Sequence, residues 1–375
     1  MILNETELTN FPVFQNRNSK ANIQNIKHAA LWTLNSKICQ SKYIILLTVY
    51  QHTQINIFKT MIYVLLYKKS KNKGKINVKK LHGIVCANIT PMDANGDLDV
   101  TSLERLVHHM AQSGIHGVYP TGTNGEGHLL RQEERHEICN RVIQSNQGRM
   151  AAFIQCATMQ WDETMDNIRF ACQAGADGVG VMTPTFYKAD ETVIVDYYNE
   201  ACAAADHKPV YIYNIAKYTN NDVSVKAFAE IIDSNENAVG IKYSNSDIAR
   251  IQDYLRAPQK RKAEALIGAD SLILSALAAG CVGEGSGPAC VFPKRYITVF
   301  HAFQEGQYDL ALEMQNRIVA CSRSIKSIPQ IPAIKAMLKM LGIIDNDTCR
   351  RPFRKLTLEE YRMLDNVLNT YLKES

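Results

Sequence analysis

The chain has 375 residues, 46% hydrophobic and 21% charged. That is a globular composition, long enough for two average domains or for one large α/β barrel with an appendage. The formal net charge of +5 is unevenly held: residues 1–80 carry 13 Lys and Arg against two acids, while the remainder carries 29 against 35. The bulk of the chain is therefore acidic and offers no basic face to nucleic acid.

Residues 1–79 differ from the rest in texture, being rich in Asn, Lys, Ile, Tyr and Gln and almost without Gly or Pro. Their apolar runs, Tyr43–Tyr50 and Ile57–Tyr67, are split by a polar break. Neither run reaches the ~18–20 apolar residues of a membrane span. The first begins too far into the chain for a signal peptide, and no small-residue cleavage site follows. Lys68–Lys75 reads as a solvated linker. The expectation for 1–79 is an atypical basic extension, poorly ordered, with an overlong translation start as one origin. The ten cysteines are scattered singly with no Cys-x-x-Cys pair, which speaks against structural zinc or an iron–sulfur cluster and for a reducing, cytoplasmic compartment.

From Gly83 the pattern becomes regular. Gly83–Thr90 reads as a strand, and Thr101–Ser113 as a helix with Leu103, Leu106, Val107 and Met110 on one face. Strand and helix then alternate: His116–Pro120 with Gln132–Asn146, Met150–Cys156 with Asp162–Ala174, Asp177–Thr183 with Glu191–Ala204, Pro209–Tyr213 with Val223–Ile232. Ala238–Ser244 precedes Asp247–Leu255, Ala263–Ile267 precedes Ser271–Ala279, and Cys281–Ser286 completes eight strands. Near-continuous apolar strands covered by helices on both faces predict a (β/α)8 TIM barrel over 80–294. No Gly-x-Gly-x-x-Gly opens the first helix, so the dinucleotide fold has no support. Beyond Pro293 the signals are helical only, predicting the eighth barrel helix and a C-terminal helical region over 295–375.

Chemistry is expected where the strands end. The sixth strand, Ala238–Ser244, holds a lysine in an otherwise apolar run, Lys242. A lysine so placed either carries its head out to water or gives up its proton and becomes an amine nucleophile. The second strand runs into Thr121-Gly122-Thr123-Asn124-Gly125-Glu126, whose amides and Thr123 hydroxyl can converge on a carboxylate, or can simply make a strand-to-helix connection, with Glu126 as its support. Tyr211 and Tyr213 lie on one side of the fifth strand, so one of them can stand beside Lys242 as a proton shuttle or remain a core tyrosine. Gly283, Gly285 and Gly287 on the eighth strand permit close approach of a ligand to backbone, or serve only to turn the chain.

Three separated motifs carry a resemblance: Gly122-Thr123-Asn124-Gly125-Glu126, Tyr213-Asn214 and Gly240-Ile241-Lys242. From about Lys80 onward the chain resembles the dihydrodipicolinate synthase and N-acetylneuraminate lyase family of pyruvate-handling class I aldolases. The resemblance implies a TIM barrel with C-terminal helices, usually a homotetramer, with neither metal nor organic cofactor. It implies Lys242 as the Schiff-base lysine, Tyr213 as the proton relay and Thr123 with Asn124 as holders of the pyruvate carboxylate. Gly285 then marks the backbone position that approaches the pyruvyl group.

The departures matter as much. Dihydrodipicolinate synthases carry an arginine five residues after the strand-5 tyrosine, to pair with the carboxylate of aspartate semialdehyde; here that place is Tyr218, beside Lys217. Their aromatic pair after strand 4 becomes Thr185-Phe186, so a relay phenol is missing unless Tyr187 serves, and Asn124 replaces a second threonine. The expectation is a lyase or aldolase joining or releasing pyruvate from a sugar-derived 2-oxo acid such as N-acetylneuraminate or a 2-keto-3-deoxy acid. The alternatives are 4-hydroxy-tetrahydrodipicolinate synthase and a related dehydratase, and a non-catalytic pyruvate-binding barrel is the reading from another class. The loops Ala157–Trp161 and Ile215–Asn220 are expected to meet the variable part of the substrate.

Overall fold

A computed structural model describes residues 79–257 and 259–372. The expectation for 1–79 therefore falls, apart from Lys79, outside the described residues. Eight parallel strands close on themselves in chain order: β1 (Gly83–Cys86), β2 (Gly117–Val118), β3 (Ala151–Gln155), β4 (Gly178–Met182), β5 (Val210–Asn214), β6 (Ala238–Tyr243), β7 (Glu264–Ile267) and β8 (Gly283–Ser286), with β8 returning to β1. The helices between them are α1 (Val100–Gln112), α2 (Gln132–Asn146), α3 (Trp161–Ala174), α4 (Glu191–Ala204), the single turn α5 (Ala216–Thr219), α6 (Val225–Ser234), α7 (Ile248–Arg256) and α8 (Ile273–Ala278). α9 (Pro293–Gln304) completes the ring, and α10 (Tyr308–Ser324), α11 (Gln330–Met340) and α12 (Leu358–Leu372) form the C-terminal helical part. This is the expected (β/α)8 TIM barrel.

Local chemistry sets the elements. Asp99, Asp190, Ser224 and Asp247 each accept a backbone N–H of the first turn of α1, α4, α6 and α7, satisfying donors that a helix start leaves bare. Leu103, Leu106, Val107 and Met110 of α1 are wholly buried, each contributing about 1.5–3 kcal/mol by leaving water. α3 stops at Gly175, whose φ of 101° is left-handed.

Differences from expectation lie at element ends. β1 stops at Cys86 because the chain then turns into the barrel mouth, where the Thr90 hydroxyl donates to Gly125 O at 2.7 Å. The loop after β5 contains the helical turn α5, too short for any periodicity to disclose. Among the described residues no helix is long and apolar enough to cross a membrane.

Candidate active site

Pairing between β5 and β6 sets Tyr213 directly opposite Lys242, so both side chains enter the barrel at one level. Lys242 is 2% exposed. Its Nζ donates to Ser244 Oγ at 3.0 Å and lies 3.9 Å from the centre of the Tyr213 ring, with the Tyr119 ring at 5.8 Å. The aromatic rings and Ser244 leave the head group few rotamers. On the far side stands Gly285, where an added Cβ would sit 2.3 Å from Lys242 Cε. The glycine is thus the space the lysine occupies.

The Tyr213 hydroxyl lies 3.3 Å from Thr123 Oγ1. Burial opposes ionisation of this phenol, but the Lys242 charge and hydrogen bonds with Thr123, Ser244 and Lys242 outweigh it, bringing the group below its ordinary value. A phenol tuned in this way gives and accepts protons more readily than a free tyrosine. Tyr211, on the same strand face, is committed elsewhere: its hydroxyl donates to Glu264 at 2.7 Å and accepts from Leu81 N at 3.2 Å, toward the opposite end of the barrel.

The Thr121–Glu126 turn is held from two directions. Thr121 takes a φ of 59° and its hydroxyl donates to Gln155 O at 2.6 Å. Glu126, φ 54°, borders the pocket and sends its carboxylate into the C-terminal part. There it forms a fully buried ion pair with Lys335 of α11 at 2.5 Å, at an angle outside hydrogen-bond geometry, and accepts from Arg350 N at 2.7 Å. Arg350 grips Glu134 of α2 through both terminal nitrogens, at 2.7 and 2.5 Å. Glu126 therefore has the supporting place expected of it. Asn124 lies over Gly287, where an added Cβ would come within 2.5 Å of its Nδ2.

Thr123, Asn124, Tyr213, Lys242 and Gly285 meet in one pocket of about 450 Å³, of ordinary size for a small-molecule site. The strand-5 loop contributes Ile215, Lys217, Tyr218 and Thr219 to its walls. The loop Ala157–Trp161 is not among its walls, which corrects that expectation. Ala157 is pinned by Gln155 Oε1, at 2.5 Å from its N–H, and by Arg135 at its carbonyl, and Trp161 Nε1 donates to Glu200 at 2.7 Å. Phe186 and Tyr187 are not among the walls either, being 65% and 78% exposed.

Several wall residues escaped the sequence reading. Ser244 shares a strand face with Lys242 at period two, a signal that was there to use. Asp270 follows the end of β7, where barrel sites form. Gln330, Ile331, Pro352 and Phe353 come from the C-terminal part, and no local pattern announces them. Among the described residues no group of three or more His, Cys, Asp and Glu side chains is placed to hold a metal ion.

A parallel barrel with a buried lysine at the mouth, facing a tyrosine and a hydroxyl-bearing turn, defines a lyase of the aldolase kind. The chain belongs to the dihydrodipicolinate synthetase family, whose model matches residues 80–371. It is 31% identical over 285 residues to an uncharacterized DapA-like lyase of Halobacterium salinarum, covering 76% of this chain and 92% of that one. It is 27% identical over 289 residues to N-acetylneuraminate lyase of Rattus norvegicus, covering 75% and 89%. The crystal structure of dihydrodipicolinate synthase from Aquifex aeolicus superposes with a TM-score of 0.74 at 25% identity, over 78% of this chain and 98% of that one.

Proposed function

We propose that the chain is a Schiff-base-forming class I aldolase or lyase in which Lys242 forms an imine with a 2-oxo acid, pyruvate being one partner of the reaction. The observation that carries this reading is the lysine itself, buried at a pocket wall with its Nζ fixed between Ser244 and the Tyr213 ring. An amine attacking a carbonyl there expels water and leaves an iminium that draws in the electrons of a neighbouring bond as it breaks. Tyr213, linked to Thr123, relays protons to and from the reacting carbons. Thr123 and Asn124 hold the pyruvate carboxylate, and Gly285 leaves the approach to the pyruvyl group clear. The chemistry needs neither metal nor organic cofactor. The partner substrate is a sugar-derived 2-oxo acid of the N-acetylneuraminate or 2-keto-3-deoxy type, in keeping with Tyr218 where a synthase carries arginine. We also propose a cytoplasmic homotetramer, in keeping with the exposed Phe186 and Tyr187.

A second reading, 4-hydroxy-tetrahydrodipicolinate synthase, draws on Lys217 in the pocket wall, a cation able to meet the carboxylate of aspartate semialdehyde. Lysine gives a point charge and not a bidentate fork, which ranks this reading second. Borohydride reduction with pyruvate, followed by peptide mass analysis, should add a pyruvyl mass at Lys242 and none in Lys242→Ala. A folded chain without adduct would refute the imine. Product analysis with aspartate semialdehyde separates the two readings.

A further inference from the structure

The C-terminal helices line a second cavity. It lies between α9, α10 and α11, measures about 230 Å³ and adjoins the lysine pocket, because Asp270 and Gln330 line both spaces. Lys242, Tyr213, Thr123, Asn124 and Gly285 all belong to the lysine pocket, and none of them borders the second cavity. An apolar cavity of about 150 Å³ is enough to hold benzene. The second cavity therefore has room for a ring that carries a small polar group.

Its walls are of two kinds. Ile318 of α10 and Ile334 and Met337 of α11 are buried apolar side chains, and the last two share a helix face at i, i+3. Ser322, Lys326 and Gln330 are exposed and mark the mouth. Ser322 sits in the last turn of α10, and the chain then turns with Lys326 N donating to Arg323 O at 3.3 Å. That turn brings the lysine to the same opening.

The mouth holds a charge with nothing to meet it. Lys335 and Lys339 of α11 are each paired with an acid, Glu126 and Asp347. Lys326 is not: among the described residues its ammonium and the side chains of Ser322 and Gln330 have no hydrogen-bond or ion-pair partner. Arg295, buried in the wall, is a second cation and donates to Tyr371 O. Asp270 is the one acid among the described wall residues, so the walls are positive in formal charge.

An apolar interior behind a positive mouth that bears a hydroxyl and an amide selects its ligand. Inorganic phosphate or sulfate would leave the isoleucines and the methionine in water. A polyhydroxylated chain would bury hydroxyls against side chains that cannot bond them. A neutral hydrocarbon would fill the interior and leave the ammonium without a counter-charge. We propose that this cavity is a second binding site, for a small organic monoanion with an apolar body, an aromatic or branched-chain carboxylate. Its apolar part lies among Ile318, Ile334 and Met337, and its carboxylate meets Lys326, with Ser322 and Gln330 donating beside it. The site uses no residue of the imine chemistry and stands whether or not Lys242 forms an imine. It borders the reacting pocket through Asp270 and Gln330.

Calorimetric titration of the full chain with benzoate tests the site, with benzamide as the uncharged comparator. Ser322→Trp closes the mouth and Lys326→Glu reverses its charge, both at exposed positions. Thermal unfolding shows that each variant is folded. The expected result is one benzoate site with a Kd of about 1 mM or tighter. Ser322→Trp should abolish it, and Lys326→Glu should weaken it about tenfold or more, as should the change to benzamide. No saturable binding of benzoate to the wild-type chain up to about 10 mM overturns the proposal. So does binding unchanged in Ser322→Trp, since a probe seated in the lysine pocket or on the open surface ignores that substitution. Benzamide binding as tightly as benzoate, or benzoate unaffected by Lys326→Glu, overturns the anionic class of ligand. Should Ser322→Trp not fold, Lys326→Glu and benzamide decide the matter alone.

Discussion

Gly285→Ala separates the geometry of the site from the stability of the fold. The added Cβ would stand 2.3 Å from Lys242 Cε and 3.2 Å from its Cδ, whereas carbon atoms rest at about 3.5–4.0 Å. The lysine end must therefore swing by roughly 1 Å, leaving both Ser244 Oγ and the Tyr213 ring. The obstructed atoms belong to the far end of a mobile side chain and not to backbone, so the barrel adapts at about 1–3 kcal/mol or less, a melting temperature lower by a few degrees. Misplacing a reacting group by 1 Å costs about a hundredfold in rate. The assay is the rate of borohydride-trapped pyruvate adduct by intact mass, with thermal unfolding followed in parallel. Trapping at the parental rate in a folded Gly285→Ala chain would refute the reasoning, because the lysine would then have a second productive position.

Further outcomes concern the relay, the turn and the far end of the barrel. Tyr213→Phe should still form the pyruvate adduct but slow exchange of the pyruvate methyl protons with deuterated water by about 10²–10⁴, read by NMR. Lys335→Met strands the buried Glu126 charge and should cost about 3–5 kcal/mol in denaturant unfolding, with Glu126→Gln added in the same chain recovering part of the loss. His116 is lowered to about 4, first by burial and then by the charges of His82 and His301. The unfolded chain therefore binds a proton there that the folded chain refuses, so stability falls as pH drops from about 6.5 toward 4. His116→Asn, which keeps an acceptor for Ile84 N, should flatten the unfolding midpoint across that window; an unchanged slope would place the acid sensitivity elsewhere.

The barrel was legible because each strand is a short apolar run followed by an amphipathic helix, and the physics that buries both is local. Lys242 stood out for the reverse reason, a charge where the pattern forbids one. Tyr213 and Thr123 were legible once strand ends were known, since period two and chain order carry them to the mouth. Asp270 and Glu284 were not read, because an acid in a strand or at its end looks like any solvated acid until the fold removes the water. Gln330, Ile331 and Phe353 reach the pocket through the packing of α11 and the segment beyond it, a matter of long-range contact that no window of sequence contains. The loop Ala157–Trp161 is held in part by bonds to Arg135 and Glu200, distant in the chain, beside local ones such as that to Gln155, and it does not wall the pocket.

The grip of Arg350 and Lys335 on Glu126 also sets an order of events at the ribosome. All eight strands, Lys242 and Tyr213 are synthesised before residue 335 emerges, so a nascent chain can close its barrel early. At that stage the Thr121–Glu126 turn keeps its bonds to Gln155 and Thr90, but its buried glutamate lacks both the Lys335 ammonium and the Arg350 N–H. The full bracing of that turn then arrives late, with the emergence of the segment around Arg350. The brace on the turn is therefore the last part of the pocket wall to be supplied by the growing chain.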